Sequence, residues 1–171
     1  MGRYRPPAPK SSPYITRQGY EILDEELTQL WKRRAEVTKA LSAAAAEGDR
    51  SENAEYIYRK KELRGIDYRI RYLQKRLPEL SIVDTVPSDS SKVFFGAWVW
   101  LENDAGEEIN YRIVGSDEID RDPRHISMDG PLAKALFKKQ RDDEVSVETP
   151  KGKQVFLLTE VRYDTDPESN H

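Results

Sequence analysis

The sequence lacks cysteine, has only two histidines, His125 and His171, and contains no long apolar run. Without cysteine the chain can form no disulfide, no thiolate nucleophile and no cysteine-ligated zinc site. Two isolated histidines also argue against an imidazole metal site. No stretch approaches the roughly 20 apolar residues that a membrane span needs, and the first residues lack the apolar core of a signal peptide. We therefore expect a cytoplasmic protein that does not span a membrane.

The chain is too polar for one compact core, because 37% of its 171 residues are hydrophobic and 35% are charged. This composition suits a solvated helical region joined to a small globular part. The net charge of -3 conceals a division. Acidic residues predominate from Leu101 to Asp129, which favours contact with a basic surface of a partner. The stretch from Arg59 to Arg76 is basic, which favours binding of an anion. The basic residues of that second stretch are Arg59, Lys60, Lys61, Arg64, Arg69, Arg71, Lys75 and Arg76.

Two long helical patterns flank one short polar turn. The first is predicted from about Arg17 to Glu47 and the second from about Ser51 to Leu77. In both, apolar residues recur at alternating intervals of three and four, which keeps them on one seam of a helix, and only Arg34 interrupts the first seam. A tight turn between two such helices predicts an antiparallel hairpin on the order of 45 Å long. Neither helix has the apolar width to bury a second face, so we expect the hairpin to stand away from the rest of the protein as a finger.

The turn between the helices carries two acidic residues, Asp49 and Glu52, directly after Gly48. Gly48 is predicted to take the left-handed conformation that commonly follows a helix. In one interpretation Asp49 is the N-cap of the second helix and Glu52 completes a capping box; spacing alone favours this structural role. In the other, the two carboxylates lie on neighbouring faces of one exposed turn and share a magnesium ion whose remaining ligands come from another molecule. The residues alone leave both interpretations open.

The second helix interleaves basic residues with Tyr58, Tyr68 and Tyr72. One interpretation is a solvated charged face with aromatic packing. The other is an RNA-binding face, on which cations neutralise phosphates and tyrosines stack on bases. The candidate RNA-binding residues are Arg59, Lys60, Arg64, Arg69 and Arg71.

Beyond the second helix the apolar period changes from helical to alternating, which predicts a second, α+β domain. Dense apolar residues predict a strand from Lys92 to Glu102, and Asn103 to Gly106 form a hairpin turn. Further predicted elements are a strand over Glu107–Val114, a loop over Gly115–Arg124, a short Ile126–Met128 segment, a helix from Pro131 to about Gln140, and a hairpin of Asp143–Thr149 with Gln154–Tyr163. The predicted domain limits are 1–13 for a disordered proline-rich leader, 14–80 for the helical hairpin, 81–164 for the second domain and 165–171 for a tail.

The turn sequence from Gly48 to Tyr56 resembles the tip signature of the bacterial Gre transcript-cleavage factors. Two segments of the second domain, Val93–Val99 and Arg112–Ile119, are similar to the GreB branch of that family. The resemblance extends from about Tyr14 to Tyr163. It implies an N-terminal antiparallel coiled coil and a C-terminal domain with an FKBP-like antiparallel sheet and a short helix.

The resemblance also implies a function. In this family the second domain binds RNA polymerase at the rim of its secondary channel, and the coiled coil reaches towards the polymerase active site. The tip acids, here Asp49 and Glu52, help the polymerase hold its second magnesium ion and the attacking water, so that backtracked RNA is cleaved. The loop before the short helix contributes to docking and here reads Asp129-Gly130-Pro131, with Gly130 in place of the familiar serine.

The expected partners are therefore RNA polymerase and the nascent RNA, with Mg²⁺ held jointly with the polymerase rather than by the free protein. We expect the free chain to be a monomer and not to be an enzyme by itself. Three alternatives remain. An inhibitory relative would block the channel without stimulating cleavage but should carry a different arrangement of tip acids. A prolyl isomerase would need an apolar substrate pocket, and a general coiled-coil adaptor would leave the tip sequence unexplained.

Overall fold

The computed structural model describes residues 10–48 and 53–163, which belong to two compact units. The helical unit spans Gln18–Leu80, and the globular unit combines Ser81 and the residues after it with the segment that ends at Arg17. The tip acids Asp49 and Glu52 lie outside the described residues. In the described part of the chain, no helix has both the length and the apolarity needed to cross a membrane.

The helical unit contains α1, Arg17–Ala45, and α2, Ala54–Arg76, followed by a 3-10 turn over Leu77–Glu79. Both predicted helices are confirmed, each ending a few residues inside its predicted limits. Their seam is built from the residues that the apolar period selected: Val37, Ile66 and Ile70 are buried, and Leu27, Leu30 and Leu63 pack against them. The pairing is antiparallel, since the Nε of Arg69 on α2 contacts Glu26 near the start of α1 at 2.6 Å, whereas Asn53 before α2 contacts Ala44 near the end of α1.

Arg34 interrupts the apolar seam without leaving a polar group unsatisfied. Its Nε donates to a carboxylate oxygen of Asp67 on α2 at 2.7 Å. Both side chains are 38% exposed, so this ion pair lies at the edge of the seam and remains in contact with water. A pair this exposed contributes little stability and serves mainly to satisfy both charges where the two helices meet.

The globular unit contains a five-stranded sheet in the order β5-β4-β3-β7-β6. Its elements are β3 Trp98–Glu102, β4 Glu108–Val114, β5 His125–Ser127, α3 Pro131–Leu136, β6 Glu144–Thr149 and β7 Gly152–Arg162. A separate two-stranded parallel sheet pairs β1, Tyr14–Ile15, with β2, Ser81–Ile82. The predicted α+β class, with a helical hairpin followed by a sheet and a short helix, is confirmed.

The prediction of an all-antiparallel sheet is wrong for one strand pair, because β5 runs parallel to β4. The loop predicted from Gly115 to Arg124 contains a 3-10 helix over Ser116–Arg121. This segment returns the chain from the end of β4 to the level of Arg112, where β5 begins to pair. A return connection of this kind lets two consecutive strands run in the same direction.

Two other elements are shorter than predicted. The strand predicted from Lys92 begins only at Trp98, because the apolar run that precedes it is buried without being extended: Val93 and Ala97 are fully buried, and Gly96 has a φ of +87°. The helix predicted to reach Gln140 ends at Leu136, and Lys138 has a φ of +67°, which cannot continue a right-handed helix. Burial, rather than strand formation, explains the density of apolar residues before Trp98.

The predicted hairpin turn is confirmed. Asn103 accepts hydrogen bonds through its side-chain oxygen from the backbone N–H groups of Ala105, at 3.0 Å, and Glu107, at 2.9 Å. Gly106 takes a φ of +78° at the position where the turn requires it. Of the leader predicted to be disordered, Ser12 and Pro13 are hydrogen-bonded within the globular unit, so that prediction is wrong for these two residues. Residues 1–9 lie outside the described part.

Candidate functional site

Asn53 precedes α2, acts as its N-cap and links the start of that helix to the end of α1. Its side-chain oxygen accepts a hydrogen bond from the Tyr56 backbone N–H at 3.1 Å. Its amide nitrogen donates to the Ala44 carbonyl at 2.8 Å, near the end of α1. One side chain therefore caps one helix and ties it to the other. Gly48 has a φ of +132°, which confirms the positive φ predicted after the first helix.

The assignment of Asp49 as the N-cap of α2 is wrong, because that position is occupied by Asn53 and the helix starts at Ala54. The sequence offered several acceptable cap residues in the turn, and spacing did not distinguish between them. Glu55 lies in the first turn of α2, where an acid interacts favourably with the helix dipole. Since Asn53 satisfies the cap, the start of α2 does not require the carboxylates of Asp49 and Glu52, which lie outside the described residues.

Two of the predicted RNA-binding residues have their charge paired within the helical unit. Arg59 contacts Glu55 at 2.8 Å and Glu62 at 3.0 Å. Arg69 donates to both carboxylate oxygens of Glu26, at 2.6 and 3.0 Å. Hydrogen bonds from Arg33 and then Arg59 lower the pKa of Glu62. These pairs make Arg59 and Arg69 weaker candidates for contact with phosphate than the sequence alone indicated.

Arg64 and Arg71 are different, because both are exposed and neither forms an ion pair with any residue that the structure describes. They lie along a shallow groove of about 750 Å³ between the two helices. Tyr68, which is 69% exposed, and Trp31, which is 47% exposed, also line this groove. The groove thus combines unpaired positive charge with accessible aromatic faces, which is the combination that single-stranded nucleic acids bind.

Sequence reasoning did not identify Trp31, because the basic and aromatic pattern was sought on α2 alone. The available signal was its position on α1, directly after the seam residue Leu30, where a large aromatic residue falls beside the seam rather than in it. Of the remaining predicted residues, Lys60 is exposed and its Nζ lies 5.8 Å from the centre of the Tyr56 ring. The structure therefore separates the five predicted cations into two that are paired and three that are more available.

Of the predicted docking residues, Asp129 and Gly130 lie between β5 and α3, and Pro131 belongs to α3. Pro131 is the first residue of α3, and Gly130 precedes it as the N-cap residue without a side-chain cap. A Cβ at Gly130 would lie 3.2 Å from the Ser127 carbonyl oxygen, so a serine there would require a small local shift. The Asp129 carboxylate accepts two hydrogen bonds from Ser12, a contact between residues 117 positions apart that no sequence pattern indicated.

The acidic stretch of the second domain is only partly available to a basic partner. Glu118 is fully buried and accepts hydrogen bonds from the Gly115 N–H, from the backbone and hydroxyl of Thr16, and from Arg121. Asp122 contacts Arg124 at 2.7 Å, and this guanidinium lowers the pKa of the Asp122 carboxyl to about 2. These two acids serve the internal structure and leave the exposed members of the stretch as the candidate docking charge.

Known proteins match the chain over both units. A family model described as "Transcription elongation factor, N-terminal" matches residues 13–82, and one described as "Transcription elongation factor, GreA/GreB, C-term" matches residues 88–163. Transcription elongation factor GreB of Xanthomonas axonopodis pv. citri is 56% identical over 165 residues, covering 95% of this chain and 98% of the relative. The GreB of Pseudomonas aeruginosa is 52% identical over 168 residues, covering 98% of this chain and 100% of the relative.

Among solved structures, the GreA factor homolog 1 (Gfh1) of Thermus thermophilus covers 87% of this chain and 97% of its own chain, at 28% identity and a TM-score of 0.40.

Proposed function

Because this chain belongs to the GreA/GreB family of transcription elongation factors, we propose that it binds RNA polymerase and stimulates the polymerase's own endonucleolytic cleavage of backtracked RNA. The matches to both family models and to GreB proteins confirm the resemblance that the tip and second-domain segments indicated. In this proposal the helical hairpin enters the secondary channel and the globular unit docks at the channel rim. Cleavage would release arrested complexes by providing a new RNA 3′ end at the active site.

The tip acids Asp49 and Glu52 supply carboxylate oxygens, which are the ligands that Mg²⁺ prefers. Two carboxylates alone are too few for tight binding, so they fit a magnesium ion held jointly with the polymerase rather than by the free protein. When bound, such an ion supplies positive charge where negative charge develops during hydrolysis of a phosphodiester. The observation that carries this assignment is the N-cap at Asn53, which leaves both acids without a required role in capping α2.

The basic groove of the hairpin supports a contact with the displaced RNA. Arg64 and Arg71 would neutralise phosphates, and the exposed ring of Tyr68 would stack on a base. We retain Lys60 as a further contact. We assign Arg59 mainly to ion pairs within α2 and Arg69 to the pair with Glu26 that joins α2 to α1. This contact would align RNA along the hairpin without determining its sequence.

The docking proposal places Asp129, Gly130 and Pro131 at the polymerase rim. Asp129 provides the negative charge for a basic partner, and Pro131 fixes the backbone at the start of α3. Charged contacts of this kind set the rate and specificity of association more than its total free energy. They also predict that docking weakens as salt is raised.

A reconstituted cleavage assay tests the proposal. A backtracked complex with 3′-labelled RNA is incubated with Mg²⁺, alone and with increasing amounts of the purified chain, and short labelled fragments are quantified. We expect cleavage to accelerate with the chain and expect no hydrolysis of the RNA by the chain alone. Binding without faster cleavage would instead indicate a channel inhibitor, and absence of binding would refute the proposal entirely.

A further inference from the structure

The segment that precedes α1 is bound to the globular unit through Ser12. The Ser12 backbone N–H donates to one carboxylate oxygen of Asp129 at 2.9 Å, and its hydroxyl donates to the other at 2.5 Å. The next residue continues the attachment, since the Pro13 carbonyl accepts from the Ser81 N–H at 2.7 Å. Through its backbone N–H and its hydroxyl, Ser12 thus binds both oxygens of the Asp129 carboxylate.

The Asp129 carboxylate has no comparable support from its own loop. The Asp129 backbone N–H donates to the Ser127 hydroxyl at 3.1 Å, and Gly130, which follows, has no side chain. Within residues 10–48 and 53–163, the hydrogen bonds to the carboxylate come from Ser12 alone. An ionised carboxylate has about four lone-pair positions, so two remain for donors from another molecule.

Ser12 and Asp129 also lie side by side on the wall of a cavity of about 290 Å³ in the globular unit. Phe137, which is 50% exposed, and Lys134 line the same cavity. Phe137 is held by an edge-to-face contact with Phe94, with ring centres 5.5 Å apart. A half-buried carboxylate beside an accessible aromatic ring suits an arginine or lysine of a partner, because the carboxylate takes the charge and the ring takes the cation or its alkyl stem.

We propose that Ser12 is a positioning residue that holds Asp129 in the orientation in which it receives a basic side chain of RNA polymerase. The inference rests on the proposed function and deepens it by making the segment before α1 part of the docking surface. Without Ser12, the Asp129 side chain would be free to rotate in water and would lose that freedom on binding. Fixing a side chain before association reduces this entropic cost. The hydroxyl next to Asp129 is therefore supplied by the leader rather than by its own loop.

In the opposite arrangement Ser12 masks Asp129 and a partner must displace it. Removing the serine hydroxyl would then tighten binding, which is one outcome of the test.

The first variant is Ser12→Ala, which removes the hydroxyl and keeps the backbone. Its matched control is Ser11→Ala, because Ser11 is exposed and forms no hydrogen bond with the described residues. A second pair, Ser12→Thr and Ser12→Val, compares side chains of the same shape with and without the hydroxyl.

The measurements are the dissociation constant for RNA polymerase and the concentration dependence of RNA cleavage. We expect Ser12→Ala and Ser12→Val to weaken binding by about tenfold, equivalent to about 1.4 kcal/mol, and to leave cleavage unchanged at saturating protein. Ser12→Thr and Ser11→Ala should bind as the unsubstituted chain does. Adding Asp129→Ala to Ser12→Ala should weaken binding no further than Asp129→Ala alone, because the serine acts through that carboxylate.

Unchanged or tighter binding of both hydroxyl-free variants would overturn the inference, and tighter binding would identify Ser12 as a mask. The inference would also be overturned if Asp129→Ala and Ser12→Ala weakened polymerase binding equally and their effects added in the double variant. Measurements on the unsubstituted chain separate this inference from the proposed function. If the unsubstituted chain binds the polymerase and accelerates cleavage, only the role of Ser12 is at stake in the variants. If it does neither, the proposed function fails as well. Thermal melting of each variant confirms that differences in binding do not come from unfolding.

Discussion

Replacing Asn53 with alanine tests the N-cap that starts α2 and the hydrogen bond that joins it to α1. The change removes the cap of the Tyr56 N–H and the bond to the Ala44 carbonyl. Losing an N-cap costs about 1 kcal/mol, and an ordinary hydrogen bond contributes about another 1 kcal/mol. Ala44 is only 4% exposed, so water has limited access to this end of α1. We therefore expect Asn53→Ala to destabilise the helical unit by about 2 kcal/mol.

Urea denaturation followed by far-UV circular dichroism measures this loss, and hydrogen exchange at the Tyr56 amide locates it. Asn53→Asp is the matched control, because it keeps the acceptor that caps the helix, replaces the donor to Ala44 with an oxygen and adds a negative charge that the helix N-terminus favours. It should cost about half as much as Asn53→Ala. Asp49→Ala should change stability by less than about 0.5 kcal/mol, because Asn53 already supplies the N-cap of α2 and substitutions away from such features usually have effects this small. If Asp49→Ala proves the more destabilising of the two alanine variants, the cap assignment is incorrect.

Two further predictions concern charge. Charge reversal at Arg64 and Arg71 should raise the concentration needed for half-maximal cleavage and flatten its salt dependence, and the same change at Arg59 should do so less; equal effects at all three would argue against the groove. The folded-state pKa of Asp122 lies below its ordinary value, so its pair with Arg124 stabilises the protein above about pH 4 and loses that contribution as pH falls towards about 2. Because the pair is partly exposed, we expect about 1 kcal/mol. Acid titration of Asp122→Asn should lack this component, and an unchanged acid transition would disprove it.

Local periodicity was sufficient to predict the helical hairpin, because the residues that bury the seam are separated by intervals fixed by helix geometry. The strands of the sheet were indicated by an alternating apolar period. The tight turn was predictable from its residue types, because Asn103 and Gly106 supply recognisable turn chemistry. The apolar run before Trp98 was misread because burial and strand formation both select apolar residues. A 3-10 return segment has no comparable period, so the parallel pairing of β5 could not be predicted.

The sequence supplied candidate site residues only where they are contiguous, and the roles of those residues stay predictions. The tip acids and the docking loop are short motifs, and the family resemblance carried both. The partners that determine which charges are available are distant: Glu26 pairs with Arg69 across 43 positions, and Ser12 reaches Asp129 across 117. Nothing in the local sequence distinguishes a paired arginine such as Arg69 from Arg71, which has no ion pair among the residues that the structure describes.

The central claim is that Asp49 and Glu52 act at the polymerase active site and not in the fold of the hairpin. The most direct measurement is the rate of RNA cleavage in a backtracked complex with a saturating concentration of the Asp49→Asn/Glu52→Gln double variant. The rate is measured across a range of Mg²⁺ concentrations. We predict normal stability, near-normal polymerase binding and loss of most of the stimulated cleavage, with part of it recovered at high Mg²⁺. Cleavage by the double variant at the unsubstituted rate would contradict the claim.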